Sequence, residues 1–122
     1  MMGYAIGSFF GMMMISTAYA FIYTRIGKAL SLKITQAWAH RPARFIILLI
    51  FAAQGIVCLG MHLISLYLLY LGATFEPYTG SYGYEYTGED KISTAWIFFG
   101  AAMATCLIAD ILKGIFVLTF AD

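Results

Sequence analysis

The chain has 122 residues, of which 62% are hydrophobic and only 11% charged, and its formal net charge is +1. Because a water-soluble domain is typically about one-quarter charged, this composition excludes an ordinary soluble fold, and the near-zero net charge gives no electrostatic basis for binding nucleic acid. The mean hydropathy of +0.85 indicates an all-α integral membrane protein, built as a single membrane domain over residues 1–122.

Residues 4–24 form the first predicted transmembrane helix. The run from Tyr4 to Tyr23 carries no charge, and about 20 residues rising about 1.5 Å each cover a hydrocarbon core of about 30 Å. Ala18–Ala20 has the small-x-small form of a signal-peptide cleavage site, but no basic residue precedes Arg25. We therefore expect this helix to be retained.

Three glycines recur at a spacing of four along this first helix. Gly3, Gly7 and Gly11 define a smooth groove, the glycine groove, along which the backbone of another helix can approach closely. The sequence predicts a helix-packing face here, with the second helix, a second copy or another subunit as its partner.

The two connecting segments differ in charge, and this difference predicts the orientation in the membrane. Segment 25–44 carries five basic residues, whereas segment 75–93 carries four acidic residues and one lysine. Basic loops stay on the cytoplasmic side, so we expect 25–44 inside, 75–93 outside, the N-terminus outside and the C-terminus inside. The basic residues are Arg25, Lys28, Lys33, Arg41 and Arg44.

The second predicted helix, residues 45–73, has one polar stripe. Gln54, Cys58 and His62 recur at a spacing of four, and Ser65 follows three residues later. Polar side chains at membrane depth seek partners on neighbouring helices, and an ionisable one is a candidate functional residue. His62 fits either a neutral histidine bonded to another helix or a ligand or proton relay, including an axial ligand of a b-type haem.

The outer segment 75–93 is rich in tyrosine and glycine and has almost no aliphatic residue, so it lacks a core of its own. Tyr82, Tyr84 and Tyr86 alternate, which would place three rings on one face of an extended segment, and Tyr78 precedes them. We expect these rings to rest at the membrane surface or to contact a partner protein.

The third predicted helix, residues 95–120, repeats the spacing of four with Cys106 and Asp110, and Lys113 follows one turn later. An acidic residue three positions before a basic one has favourable geometry for an ion pair. The sequence predicts that Asp110 is held by Lys113 or by a neighbouring helix, with a proton or cation relay as the functional alternative.

No arrangement of residues indicates catalysis or a metal site. Cys58, His62, Cys106 and Asp110 are four possible ligands, but in antiparallel helices His62 and Asp110 should lie on opposite sides of the bilayer midplane. There is also no serine, histidine and aspartate set in a polar setting and no phosphate-binding loop. We therefore expect a protein that is not itself an enzyme.

Size and composition favour a role among other membrane proteins. The sequence predicts an accessory subunit of a larger respiratory, oxygenase, photosynthetic or secretion complex, whose partners are the lipid bilayer and other subunits. We expect it in a bacterial inner membrane or an equivalent energy-transducing membrane. The alternatives are a redox anchor that contributes to a b-type haem or quinone site, with His62 as the haem ligand, and a pore-forming or holin-like homo-oligomer.

Overall fold

The computed structural model describes residues 2–83 and 85–121 of the chain. It contains three helices that are long and apolar enough to cross a membrane, as the sequence predicted. The elements are α1 (Met2–Ala29), α2 (Ser31–Trp38), α3 (Arg41–Thr74), β1 (Tyr78–Thr79), β2 (Glu85–Tyr86) and α4 (Glu89–Phe120).

The helices extend beyond the predicted spans, so the basic segment 25–44 is mostly helical. α1 continues to Ala29, α2 follows after one residue, and α3 begins at Arg41. Pro42 lies in the first turn of α3, where its missing N–H costs no hydrogen bond. α4 begins earlier than predicted, with Glu89 and Asp90 in the first turn, where carboxylates stabilise the positive end of the helix dipole.

α3 and α4 run antiparallel and share the most extensive interface in the described structure. The hydroxyl of Ser65 donates to the carbonyl oxygen of Ala95 at 2.9 Å, whereas Gln54, earlier on α3, contacts Asp110, later on α4. The two-stranded antiparallel hairpin β1–β2 lies in the connection between these helices.

α1 packs parallel to α4 and also contacts α3. Near its start, Ser8 accepts a hydrogen bond of 3.0 Å from the indole Nε1 of Trp96, and Met12 receives the hydroxyl of Ser65 at 3.6 Å. Ala5, Ser8 and Met12 are the buried residues of this helix, so they form its inward face.

The glycine groove lies beside this inward face. An added Cβ at Gly3 or Gly7 would meet no atom within 4 Å, whereas one at Gly11 would lie 3.3 Å from the ring of Trp96. Within the described chain, only the Gly11 end of the groove therefore packs against another helix.

Two other glycines lie in a close contact between the end of α3 and the start of α4, where Gly88 is the residue just before the helix. A Cβ on Gly88 would lie 2.9 Å from the Cα of Gly72, and a Cβ on Gly72 would lie 2.5 Å from Cγ1 of Ile92. Ile92 is fully buried. In this contact the backbone at Gly88 lies directly against the backbone at Gly72. No local sequence pattern predicted it.

The threonine hydroxyl groups of the helices form hydrogen bonds with the backbone of their own helix. Each donates to the carbonyl oxygen four residues earlier, at 2.7–3.0 Å. A hydroxyl bonded in this way needs no water, so it is compatible with a lipid-facing position. The residues are Thr17, Thr24, Thr35, Thr74, Thr94, Thr105 and Thr119.

Candidate functional site

The carboxylate of Asp110 accepts hydrogen bonds from all three long helices. Tyr19 of α1 donates its hydroxyl to Oδ2, Gln54 of α3 donates Nε2–H to Oδ1 at 3.0 Å, and Nζ of Lys113 on α4 lies 2.9 Å from Oδ1. The side chains of Asp110 and Lys113 are only 13% and 10% exposed. Donors from three helices therefore converge on one carboxylate.

Lys113 has further contacts with aromatic side chains. Its Nζ lies 3.5 Å from the hydroxyl oxygen of Tyr23, to which it donates. The ammonium group also lies 5.4 Å from the ring centroid of Tyr23 and 5.1 Å from that of Phe51, which is the distance range of cation–π attraction. We call Tyr19, Tyr23, Gln54, Asp110 and Lys113 together the polar layer.

Several hydrogen-bonding positions of the polar layer remain open among the described residues. Oε1 of Gln54 is buried and has no donor, because its amide presents Nε2 to Asp110. The hydroxyl of Tyr23 accepts from Lys113 but donates to no described group. One of the three N–H groups of Lys113 also stays open, since Asp110 and Tyr23 take the other two. The layer therefore holds a net-neutral ion pair, one open acceptor and open donors on Tyr23 and Lys113.

The two cysteines meet one turn away from Asp110. Sγ of Cys106 donates to Sγ of Cys58 at 2.8 Å, and Cys58 donates to the carbonyl oxygen of Ala102 at 3.5 Å. Both are free thiols. The sequence placed them on two different predicted helices, and the structure brings them together between α3 and α4.

His62 lies apart from the polar layer. Its ring packs 5.6 Å from the ring of Phe99, measured between centroids. No three histidine, cysteine, aspartate or glutamate side chains among residues 2–83 and 85–121 are placed to hold a metal ion. Of the four ligands considered from sequence, the structure pairs only Cys58 with Cys106.

Sequence reasoning missed Tyr19, Tyr23 and Ser8, which form side-chain hydrogen bonds between α1 and α4. The spacing of the tyrosines could have indicated their role. Tyr19 and Tyr23 are one helical turn apart, as are Asp110 and Lys113, so the two pairs can meet across two neighbouring helices. Tyrosine within an apolar span also needs a partner for its hydroxyl.

A cavity of about 380 Å³ adjoins the polar layer. It lies between the end of α1, α2, the start of α3 and the end of α4, and Trp38 and Phe51 contribute aromatic walls. Tyr23, Asp110 and Lys113 line it on the side nearer the middle of the helices.

Two glycines leave the cavity open. Gly27 of α1 and Gly114 of α4 both line it, and an added Cβ at either would meet no atom within 4 Å. The open space is thus a consequence of missing side chains on two facing helices.

The tyrosine-rich segment forms a hairpin rather than one extended run. Tyr78 and Tyr86 pair across β1 and β2 and stack, with centroids 4.8 Å apart. Tyr82 lies in the turn and is 89% exposed. The prediction that Tyr82 and Tyr86 share one face of an extended segment is therefore wrong. Gly83, at φ +79°, permits this turn. Tyr84 lies outside the described residues.

The chain matches no protein-family model, and neither a curated protein nor a solved structure matches it. A functional proposal therefore rests on the side chains and surfaces described above.

Proposed function

We propose that this chain is an accessory subunit of a larger membrane complex of the respiratory, oxygenase, photosynthetic or secretion type. In this proposal it crosses a bacterial inner membrane or an equivalent energy-transducing membrane three times and braces its neighbours by helix packing. The distribution of polar groups supports a membrane setting. Charged and amide groups of the helix middles bond to one another, while large apolar residues such as Phe45, Ile56 and Ile97 face outward.

The observation that carries the proposal is the empty part of the glycine groove. Gly3 and Gly7 are exposed, with no atom near their missing side chains, while α1 uses a different face, with Ala5, Ser8 and Met12, to pack inside the chain. Small residues permit close helix contacts in lipid. We therefore assign the Gly3–Gly7 face to a helix of another subunit.

Substitution of Gly7 by leucine tests this assignment. Because a side chain at Gly7 has open space within the chain, we expect Gly7→Leu to keep the thermal stability of the isolated subunit. We expect it to reduce co-purification with larger subunits at least tenfold, measured by native mass spectrometry after gentle detergent extraction. Ile15→Leu, at an exposed position of the same helix, is the matched control, and equal native masses for both variants would contradict the proposal.

The charges at the two ends of the bundle support the proposed orientation. Arg25, Lys28, Lys33, Arg41 and Arg44 lie at the end formed by α2, and Glu76, Glu85, Glu89 and Asp90 lie at the hairpin end. The positive-inside rule then places the N-terminus outside and the C-terminus inside.

Cysteine labelling tests this orientation. In a background of Cys58→Ala and Cys106→Ala, we expect Ser81→Cys to react with an impermeant maleimide from outside, and Ser31→Cys to react only after the membrane is opened. If only Ser31→Cys were labelled in intact cells, the protein would have the opposite orientation.

The same extracted sample separates the two other functions considered from sequence. A haem Soret band that disappears in His62→Ala would identify a redox anchor. A homo-oligomer that conducts ions in a planar bilayer would identify a pore former. Co-migration with larger subunits, without either property, is the result that we expect.

A further inference from the structure

We propose that the cavity beside the polar layer is a binding site for a neutral amphiphile with a planar, carbonyl-bearing head and an apolar tail, such as a quinone. This inference goes beyond the proposed function and does not depend on it, because residues of this chain alone line the cavity.

The charge of the site selects a neutral head group. Asp110 and Lys113 both line the cavity and form an ion pair at 2.9 Å, so their charges cancel. An anionic head would add an uncompensated charge beside Asp110, and a cationic head would add one beside Lys113. In surroundings of low dielectric constant either addition is costly.

The open donors select a head that accepts hydrogen bonds. The hydroxyl of Tyr23 donates to no group among the described residues. The ammonium of Lys113 has three N–H groups, of which one bonds to Asp110 and another to Tyr23. A carbonyl oxygen placed between Tyr23 and Lys113 would accept from both, and no described backbone or side-chain group takes that position.

The side chains that line the cavity fit a ligand with a flat head group and an apolar tail. The rings of Tyr23, Trp38 and Phe51 line the cavity, and aromatic faces stack well on a planar ring. Away from the polar layer the lining is aliphatic and aromatic and reaches Leu30 and Val117 near the ends of α1 and α4. The volume of about 380 Å³ lies within the range of small-molecule sites.

Trp38 provides a local probe of binding. The chain has two tryptophans, Trp38 and Trp96, and Trp96 lies near Ser8 at the other end of α1. In a Trp96→Phe background, reconstituted in phosphatidylcholine nanodiscs, decylubiquinone should quench Trp38 fluorescence saturably, because a bound quinone ring would lie in the cavity that Trp38 lines.

Two substitutions with matched controls locate the site. Gly114→Leu should abolish saturable quenching by filling the cavity, whereas Gly100→Leu should not, since Gly100 is exposed and outside the cavity. Tyr23→Phe keeps the ring and removes one hydrogen bond, which should weaken binding about five- to tenfold. Tyr67→Phe, at an exposed position of α3, should leave binding unchanged.

Competing ligands show which part of decylubiquinone the site recognises. Decylbenzene, which has the ring and tail without carbonyl groups, should displace decylubiquinone at least tenfold less well. Dioctanoylglycerol has ester carbonyl groups but no planar ring, so it should displace decylubiquinone at least tenfold less well, and displacement as effective as by decylubiquinone would overturn the planar head. Unsaturable quenching that is equal in all variants, or displacement by decylbenzene as effective as by decylubiquinone, would overturn the proposal.

Discussion

Asp110→Leu is expected to loosen the packing of α1 near Tyr19 and to reduce the free energy of unfolding by about 3–5 kcal/mol, the usual cost of removing one partner of a buried ion pair. The substitution leaves Lys113 as an uncompensated charge and removes the acceptor for Tyr19 and Gln54. Interhelical hydrogen bonds in lipid contribute only about 0.6–2 kcal/mol each, so the unpaired lysine should dominate. Reversible unfolding in mixed micelles would measure the loss.

Two further variants separate charge from shape at this position. Asp110→Asn also leaves the charge of Lys113 uncompensated but keeps an oxygen that can accept a hydrogen bond from it, so we expect a smaller loss than for Asp110→Leu. The double variant Asp110→Leu with Lys113→Met removes both charges and should recover most of the stability lost in Asp110→Leu. If Asp110→Leu alone had the same free energy of unfolding as the unchanged protein, the ion pair would contribute nothing to stability.

Asp110→Asn also tests the relay alternative. A structural Asp110 predicts that the complex assembles and keeps its turnover in Asp110→Asn. A proton relay through this residue predicts normal assembly with loss of turnover, because an amide does not exchange a proton as a carboxylate does.

The second large effect is expected at the contact between α3 and α4. Gly88→Ala should lower stability by about 3 kcal/mol, because the new methyl group would overlap the backbone of Gly72 and overpacking against a rigid neighbour costs about 1–3 kcal/mol or more. The backbone of Gly88 has φ −78° and ψ 6°, which alanine can adopt. The cost therefore arises from lack of space and not from backbone strain.

Gly100→Ala is the matched control, since it makes the same chemical change within α4, the helix that Gly88 precedes. Its Cβ would meet no atom within 4 Å, and alanine favours helix over glycine, so stability should be unchanged or slightly higher. Thermal melts followed by circular dichroism compare the two variants. Equal melting temperatures would mean that α3 and α4 do not approach as closely as the structure has them.

The parts of the fold that sequence could predict are those that depend on local patterns. Uncharged runs locate the three long helices, and the spacing of Asp110 and Lys113 indicates the ion pair that the structure contains. The spacing of Gln54 and Cys58 likewise indicates one stripe of α3 that faces other helices.

The rotation of α1 about its own axis could not be predicted. This helix is apolar on every side, so no amphipathic stripe identifies its inward face. The glycine groove was the strongest visible pattern, yet the inward contacts come from Ala5, Ser8 and Met12. Tyr19 and Tyr23 reach Asp110 and Lys113 because that rotation turns them towards α4, although Tyr23 stays partly exposed.

The cavity could not be predicted for a different reason. It needs α2 to fold against the ends of α3 and α4, and it needs Gly27 and Gly114, which are far apart in sequence, to line the same space. Isolated glycines in two apolar helices carry no signal of this kind. A short helix such as α2, with only 8 residues, is also marginal without tertiary packing.

The order of the polar layer along the chain bears on biosynthesis in the proposed membrane setting. A translocon that releases helices in the order of synthesis delivers Tyr19 first, Gln54 second, and Asp110 last together with Lys113. An isolated charge at the centre of an inserting helix costs about 2.5–3.5 kcal/mol, but here both charges arrive on one helix, within one turn. A ribosome that pauses before α4 therefore leaves only neutral polar groups of the polar layer in the bilayer, and the carboxylate enters when Tyr19 and Gln54 are already in place.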